Sequence, residues 1–267
     1  MDKVRERKKG RASINMVTLY IVATPIGNLE DISMRALRIL GEVDFILCED
    51  TRVTQTLLKH YNIKTPTISY HQHSDIKKID YILDLLASGK DLALVSDAGT
   101  PGISDPGGKL VQAVTEKFGD DVKIESVPGP SAITAALSIS GIPTDKFIFI
   151  GFLPHKKGRQ TMLNTVVDSE YPVVVYESKH RIIKLLEELE DINKKIAREN
   201  EEIDAENAKM YKKEKRIKRI PVTSVVVCRE LSKMHETVYR GEIKSIIDKI
   251  KNSSDDQKGE FVVIIGK

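Results

Sequence analysis

The chain has 267 residues, of which 40% are hydrophobic and 30% charged, with a formal net charge of +3. That supports one large α/β domain or two modest ones with a wet surface, and a net charge this small says nothing about partners. No apolar run approaches the roughly 20 residues of a membrane helix, and the N-terminus lacks the apolar stretch of a signal peptide, so a cytoplasmic protein without membrane contact is expected.

In chain order, residues 1–15 read as a disordered basic arm, with Lys3, Arg5, Arg7, Lys8, Lys9 and Arg11 against Asp2 and Glu6. Strands and helices then alternate. Strands are predicted at Thr18–Thr24, Val43–Cys48, Thr67–Tyr70, Leu92–Val95 and Lys123–Val127. Helices are predicted at Ser33–Leu40, Thr54–His60, Ile76–Ala87 and Lys109–Phe118. Short apolar runs between helices point to an open, mostly parallel sheet covered on both faces. Pro128-Gly129-Pro130 marks the boundary between an N-terminal α/β domain over 16–128 and a C-terminal one over 129–267.

The second domain opens with a small-residue helix, Ser131–Ser140. It continues with strands at Phe147–Leu153 and Val173–Tyr176, a helix between them, and strands at Val222–Cys228, Glu236–Tyr239 and Phe261–Ile265. Consecutive strands without a helix imply hairpin pairing and a mixed sheet. Glu190–Arg219 looks inserted, with 18 charged residues in 30. Leu189, Ile196, Ile203, Met210 and Ile217 recur every seven residues, which predicts a protruding helix with a narrow apolar stripe; a stable coiled coil is the alternative. Cys48 and Cys228 lie far apart in apolar runs and read as buried free thiols, with a disulfide the alternative.

Four loops follow predicted strands: Ala23–Leu29, Cys48–Arg52, Ser69–Asp75 and Val95–Gly108. In an open parallel sheet such ends share one edge, where ligands bind. The Val95–Gly108 loop is rich in glycine and proline and contains Asp97 and Asp105. That composition suits a ligand with hydroxyls, an amine or a positive centre rather than a polyphosphate. The loop lacks both dinucleotide and triphosphate fingerprints. No metal site is expected, because His60, His71 and His73 have no partners at ligand spacing. Glu49, Asp50 and Arg52 form the densest charged group at a strand end, and capping of the following helix by Asp50 or Thr51 accounts for one of them. The basic stretch Lys209–Arg219 is either a polyanion contact or a solvated helix face, and Lys156-Lys157-Gly158-Arg159 and His180-Arg181 are expected to contact a polyanion.

Several blocks carry a family resemblance: Leu19–Leu29, Glu49-Asp50-Thr51-Arg52, Ser96–Pro101 with Ser104–Gly107, Val127–Ala132, Gly151-Phe152-Leu153-Pro154, Tyr176-Glu177-Ser178 with His180-Arg181, Arg229-Glu230-Leu231 and Lys258-Gly259-Glu260. Together they resemble the ribosomal RNA (cytidine-2′-O)-methyltransferase branch of the tetrapyrrole methylase superfamily. The resemblance implies a two-domain α/β fold with S-adenosylmethionine in the interdomain cleft, a homodimer, and a cytidine ribose in the decoding region of 16S ribosomal RNA, within the small subunit, as substrate. Cofactor contacts carry over to Pro25, Gly27, Asp97, Ala98, Gly99, Thr100, Ile103, Ser131 and Ala132. Glu49 or Asp50 is the expected proton acceptor, with Arg52 orienting a phosphate. Where tetrapyrrole-modifying relatives have Gly-Asp-Pro, this chain has Gly99-Thr100-Pro101, as in the ribosomal RNA branch. The basic arm and Glu190–Arg219 depart from the family pattern. A tetrapyrrole or protein substrate, and a non-catalytic RNA-binding assembly factor, are the alternatives.

Overall fold

A computed structural model describes residues 16–71, 76–209 and 215–267. The basic arm, His73 and Met210 lie outside the described residues. The chain divides into two compact units. One holds the described residues up to Thr24 together with Ile32–Gly129, the other Pro25–Asp31 and Pro130–Lys267.

The first unit is built on five parallel strands: β1 (Thr18–Val22), β2 (Phe45–Cys48), β3 (Thr67–Ser69), β4 (Leu92–Leu94) and β5 (Lys123–Val127), in the order β3-β2-β4-β1-β5. The inner strands are short and apolar because both faces are covered; Leu19, Ile46, Leu47, Leu92 and Ala93 are fully buried. Helices α1 (Met34–Glu42), α2 (Thr51–His60), α3 (Ile76–Ala87) and α4 (Gly107–Phe118) connect them. In α1, Ser33 caps the helix by accepting the Ala36 amide, and Ala36, Ile39 and Leu40 form the buried stripe.

The second unit holds α5 (Ala132–Ser140), β6 (Ile148–Phe152), α6 (Arg159–Asp168), β7 (Val173–Ser178), α7 (Ile182–Lys209), β8 (Ser224–Arg229), β9 (Thr237–Gly241), α8 (Ile243–Asn252) and β10 (Glu260–Gly266). Its sheet runs β6-β7-β10-β8-β9, with β6 parallel to β7 and the other pairs antiparallel, including the expected β8–β9 hairpin. Period-two alternation divides the side chains between two faces. Val173, Val175, Val225, Val227, Phe261, Val263 and Ile265 meet residues of α6, α7 and α8 on one face. Val174, Val226, Cys228, Val262 and Ile264 meet α5 on the other, where Ile26, Phe149 and Tyr176 also pack. Both cysteines are buried free thiols. Among the described residues, no helix is long and apolar enough to cross a membrane.

The charged segment departs from expectation. Helix α7 begins at Ile182 and ends at Lys209, and residues 215–223 are not helical. Leu189, Ile196 and Ile203 are buried as the seven-residue period requires, but Ile217 is 92% exposed. Residues 216–222 run back along the helix on a ladder of asparagines. Asn193 exchanges two hydrogen bonds with the backbone of Val222 (2.7 and 2.9 Å), Asn200 with Arg219 (2.8 and 3.0 Å) and Asn207 with Arg216 (3.0 and 2.9 Å). Seven helical residues rise about 10.5 Å, and three extended residues span about 10 Å, so each asparagine meets every third residue of the returning chain. Arg216 pairs with Glu206, Lys218 with Asp204, and Arg219 with Asp168 and Glu199. These cations face the chain's own acids, which favours the solvated-face reading over polyanion contact for this stretch.

Candidate active site

In the first unit, the loop after β4 is stitched to the end of β1. The Thr24 amide donates to Gly99 O (2.9 Å) and the Gly99 amide returns to Thr24 O (3.0 Å), while the Thr24 hydroxyl donates to Ser96 O (3.1 Å). Gly99 and Gly102 take φ of 82° and 87°, which glycine adopts freely, and Ser104 takes 62°. Asp105 organises the far end by accepting the Gly102 and Gly107 amides at 2.6 and 2.7 Å. A side chain at Gly107 would place its Cβ 2.8 Å from the Gly102 nitrogen. Asp97, Ala98 and Ile103 are left exposed, and Thr100 half-buried. Asp105 therefore serves the loop's own backbone, leaving Asp97 as the acid presented outward.

The end of β2 joins this loop directly, because the Asp50 amide donates to Asp97 Oδ1 (3.0 Å). Asp50 is the cap of α2; its carboxylate accepts the Arg52 amide and also pairs with the Arg52 guanidinium at 2.6 Å. Those bonds hold its carboxyl at about 2, far below the usual aspartate value. Glu49, one residue earlier, is the opposite case. Partial burial, with Asp97 and Asp105 nearby, pushes its carboxyl above the usual glutamate value. The sequence left Glu49 and Asp50 level as proton acceptors; their electrostatics separate them.

The remaining candidate residues belong to the second unit. Pro25 and Gly27 lie on the segment Pro25–Asp31. A Cβ on Gly27 would come within 2.4 Å of Lys233 Cγ and 3.0 Å of Leu231 O, so that loop lies flat against the β8–β9 turn. The turn is braced: Lys233 Nζ donates to Glu230 (2.9 Å) and Glu260 (2.8 Å). Arg229, 5% exposed, donates to the carbonyls of Lys258, His235 and Asp255. Gly259 takes φ of 103°, and a Cβ there would also meet the Glu230 carboxylate at 2.6 Å, so the position needs glycine on both counts. This brace accounts for the Arg229-Glu230-Leu231 and Lys258-Gly259-Glu260 blocks. Ser131 and Ala132 open α5, and Ser131 makes no side-chain cap bond there. Ala132 and Ile26 pack on the same apolar cluster.

Two residues expected to touch RNA do not present their charge. Arg159 and Arg181 are 5% and 13% exposed in their side chains and converge on the fully buried Glu177, with Arg181 Nε 2.7 Å from its Oε1; Arg159 also binds Glu188 at 2.7 Å. Arg159 Nη1 also donates to Pro154 O (3.2 Å) and Arg181 Nη1 to Leu153 O (2.9 Å). Lys156, Lys157 and His180 stay exposed. The signal for this network was present in the sequence, since Val173, Val175 and Glu177 alternate onto the core face of β7.

The profile of the tetrapyrrole (corrin/porphyrin) methylases matches residues 18–247. The ribosomal RNA small subunit methyltransferase I of Hydrogenobaculum sp. is 41% identical over 251 residues, covering 93% of this chain and 95% of that protein. The protein of the same name from Thermotoga maritima is 39% identical over 250 residues, covering 94% of this chain and 98% of its own. Among solved structures, diphthine synthase aligns with a TM-score of 0.63 at 15% identity, over 94% of this chain and 90% of that one. Cobalt precorrin-4 methyltransferase, a cobalamin biosynthetic enzyme, aligns with a TM-score of 0.59 at 19% identity, over 93% and 94%. At those identities the structural likeness concerns the fold alone. A single profile running through both units, and relatives matched along more than nine-tenths of the sequence, lead to one statement: the chain belongs to the tetrapyrrole (corrin/porphyrin) methylase family.

Proposed function

We propose that this chain is an S-adenosylmethionine-dependent methyltransferase that modifies the 2′-oxygen of a cytidine ribose in small-subunit ribosomal RNA. The observation carrying this reading is the match to relatives named ribosomal RNA small subunit methyltransferase I along 93% and 94% of the chain. The residues present fit the donor. Its amino-acid carboxylate and hydroxyls call for free backbone amides, and its positive centre calls for an acid. The amides at the start of α5, without a cap from Ser131, supply the first; exposed Asp97 supplies the second. Pro25, Gly27, Asp97, Ala98, Gly99, Thr100, Ile103, Ser131 and Ala132 are the residues we assign to holding it. When bound, the donor supplies a methyl group already activated on a sulfonium.

The protein's task is then to position a ribose hydroxyl and take its proton. We assign that proton to Glu49, whose raised carboxyl is the better base of the neighbouring pair. Asp50 holds Arg52, and the Arg52 side chain, 88% exposed, is free to orient a phosphate. The buried free thiols accord with a cytoplasmic setting, and a homodimer is part of the reading, to be checked by sedimentation.

Calorimetric titration with S-adenosylmethionine tests the donor, and methyl transfer to small ribosomal subunits against a tetrapyrrole tests the substrate. Donor binding with transfer to RNA is the expected result. Transfer to a tetrapyrrole or a protein overturns the substrate assignment, and absence of donor binding favours a non-catalytic assembly factor.

A further inference from the structure

Strand β6 carries a bulge with a consequence for its last residue. It pairs with β7 as Phe149 with Val174, Gly151 with Val175 and Phe152 with Tyr176, leaving Ile150 as the extra residue. Gly151 takes φ of 74°. In an unbroken strand, Phe149 and Phe152 point to opposite faces; one inserted residue puts them on the same face. Both rings accordingly meet Tyr176, with centroids at 5.0 Å for Phe149 and 5.6 Å for Phe152. Phe149 is half-buried against the sheet, but Phe152 is 54% exposed. This is the sheet face on which Ile26 and Ala132 pack.

The chain leaving Phe152 is held unusually firmly. Arg181, paired with buried Glu177, and Arg159, paired with Glu188, donate to the carbonyls of Leu153 and Pro154, the next two residues. Just beyond lie exposed Lys156 and Lys157; just beyond the end of β7 lie exposed Lys179 and His180. Among the described residues, no salt bridge engages any of these four. A solvent-facing ring backed by a second ring and flanked by lysines free of salt bridges is the arrangement that binds unpaired nucleic acid bases with their phosphates.

We propose that Phe152, backed by Tyr176, is a stacking shelf for an unpaired base of the RNA substrate, with Lys156, Lys157, Lys179 and His180 available to its phosphates. This rests on the reading of the substrate as RNA. The test uses the full chain, S-adenosylmethionine, and small ribosomal subunits from cells lacking the gene. Phe152→Ala should raise KM for the subunits by about 5- to 150-fold, the range one lost base stack implies. Phe152→Trp should restore it, and the donor Kd should stay unchanged by calorimetry. An unchanged KM overturns the shelf. So does a weakened donor Kd with unchanged KM, which would make the ring an adenine contact, or a halved sedimentation mass, which would make it a contact between copies. A wild-type chain that leaves the subunits unmethylated overturns the functional reading itself, and the shelf with it.

Discussion

Glu49 and Asp50 are chain neighbours with opposite electrostatics. Asp50, held at about 2, contributes stability that is complete above pH 3.8 and lost as the pH falls towards 2. Glu49 has the reverse sign. Its carboxyl binds its proton more tightly in the folded state, so stability falls as the pH rises from 4.5 through the raised value. A residue that costs stability when ionised, close enough to Asp97 to feel its charge, fits a group kept for chemistry. Glu49→Gln should therefore be at least as stable as wild type at neutral pH, by thermal melting. In single-turnover assays it should lose about 10²- to 10⁴-fold in rate. Full turnover by Glu49→Gln removes it as proton acceptor. Asp50→Asn keeps the capping oxygen and should lose far less rate; a loss equal to that of Glu49→Gln would return the proton to Asp50.

Helix α7 and strand β7 show where sequence reading stops. The apolar heptads Leu189, Ile196 and Ile203 were legible because burial leaves a compositional trace. Asn193, Asn200 and Asn207 share the same period, yet an asparagine on a charged helix reads as solvated, and its partner here is backbone, which has no letter. The period was accordingly carried too far, to Ile217, where the chain is no longer helical. Asn200→Ala should speed amide hydrogen exchange at Arg219 markedly while leaving the melting temperature nearly unchanged, because the ladder holds only the returning residues 216–222. Unchanged exchange would show that the ladder does not hold it. Around Glu177 of β7, Arg159 at the start of α6 and Arg181 after β7 read as RNA contacts because their charge is visible in the sequence and their burial is not. Glu177→Ala leaves the buried Arg181 guanidinium without its carboxylate, while Arg159 keeps Glu188, and should cost about 3–5 kcal/mol in denaturant unfolding. A loss under about 1 kcal/mol, the scale of an exposed pair, would mean that the network is solvated.

At the scale of the whole molecule, the alternation of short apolar strands with helices made both sheets legible, down to the parallel pairing of the first and the hairpin of the second, but not the strand order of either. The gathering of loops after β1, β2 and β4 followed from the same pattern. What the pattern did not show is that Pro25–Asp31 leaves the first unit to pack on the second, against Leu231 and Lys233. That depends on a glycine contact between residues two hundred positions apart. The proposed function comes down to one chemical event, the transfer of a methyl group to a ribose oxygen of small-subunit RNA. The most direct measurement is mass mapping of ribosomal RNA after purified protein and S-adenosylmethionine act on small subunits from cells lacking the gene. One cytidine should gain a single methyl on its ribose, and it should fail to do so with Glu49→Gln. A methyl on a base, or RNA unchanged by the wild-type chain, would contradict the account.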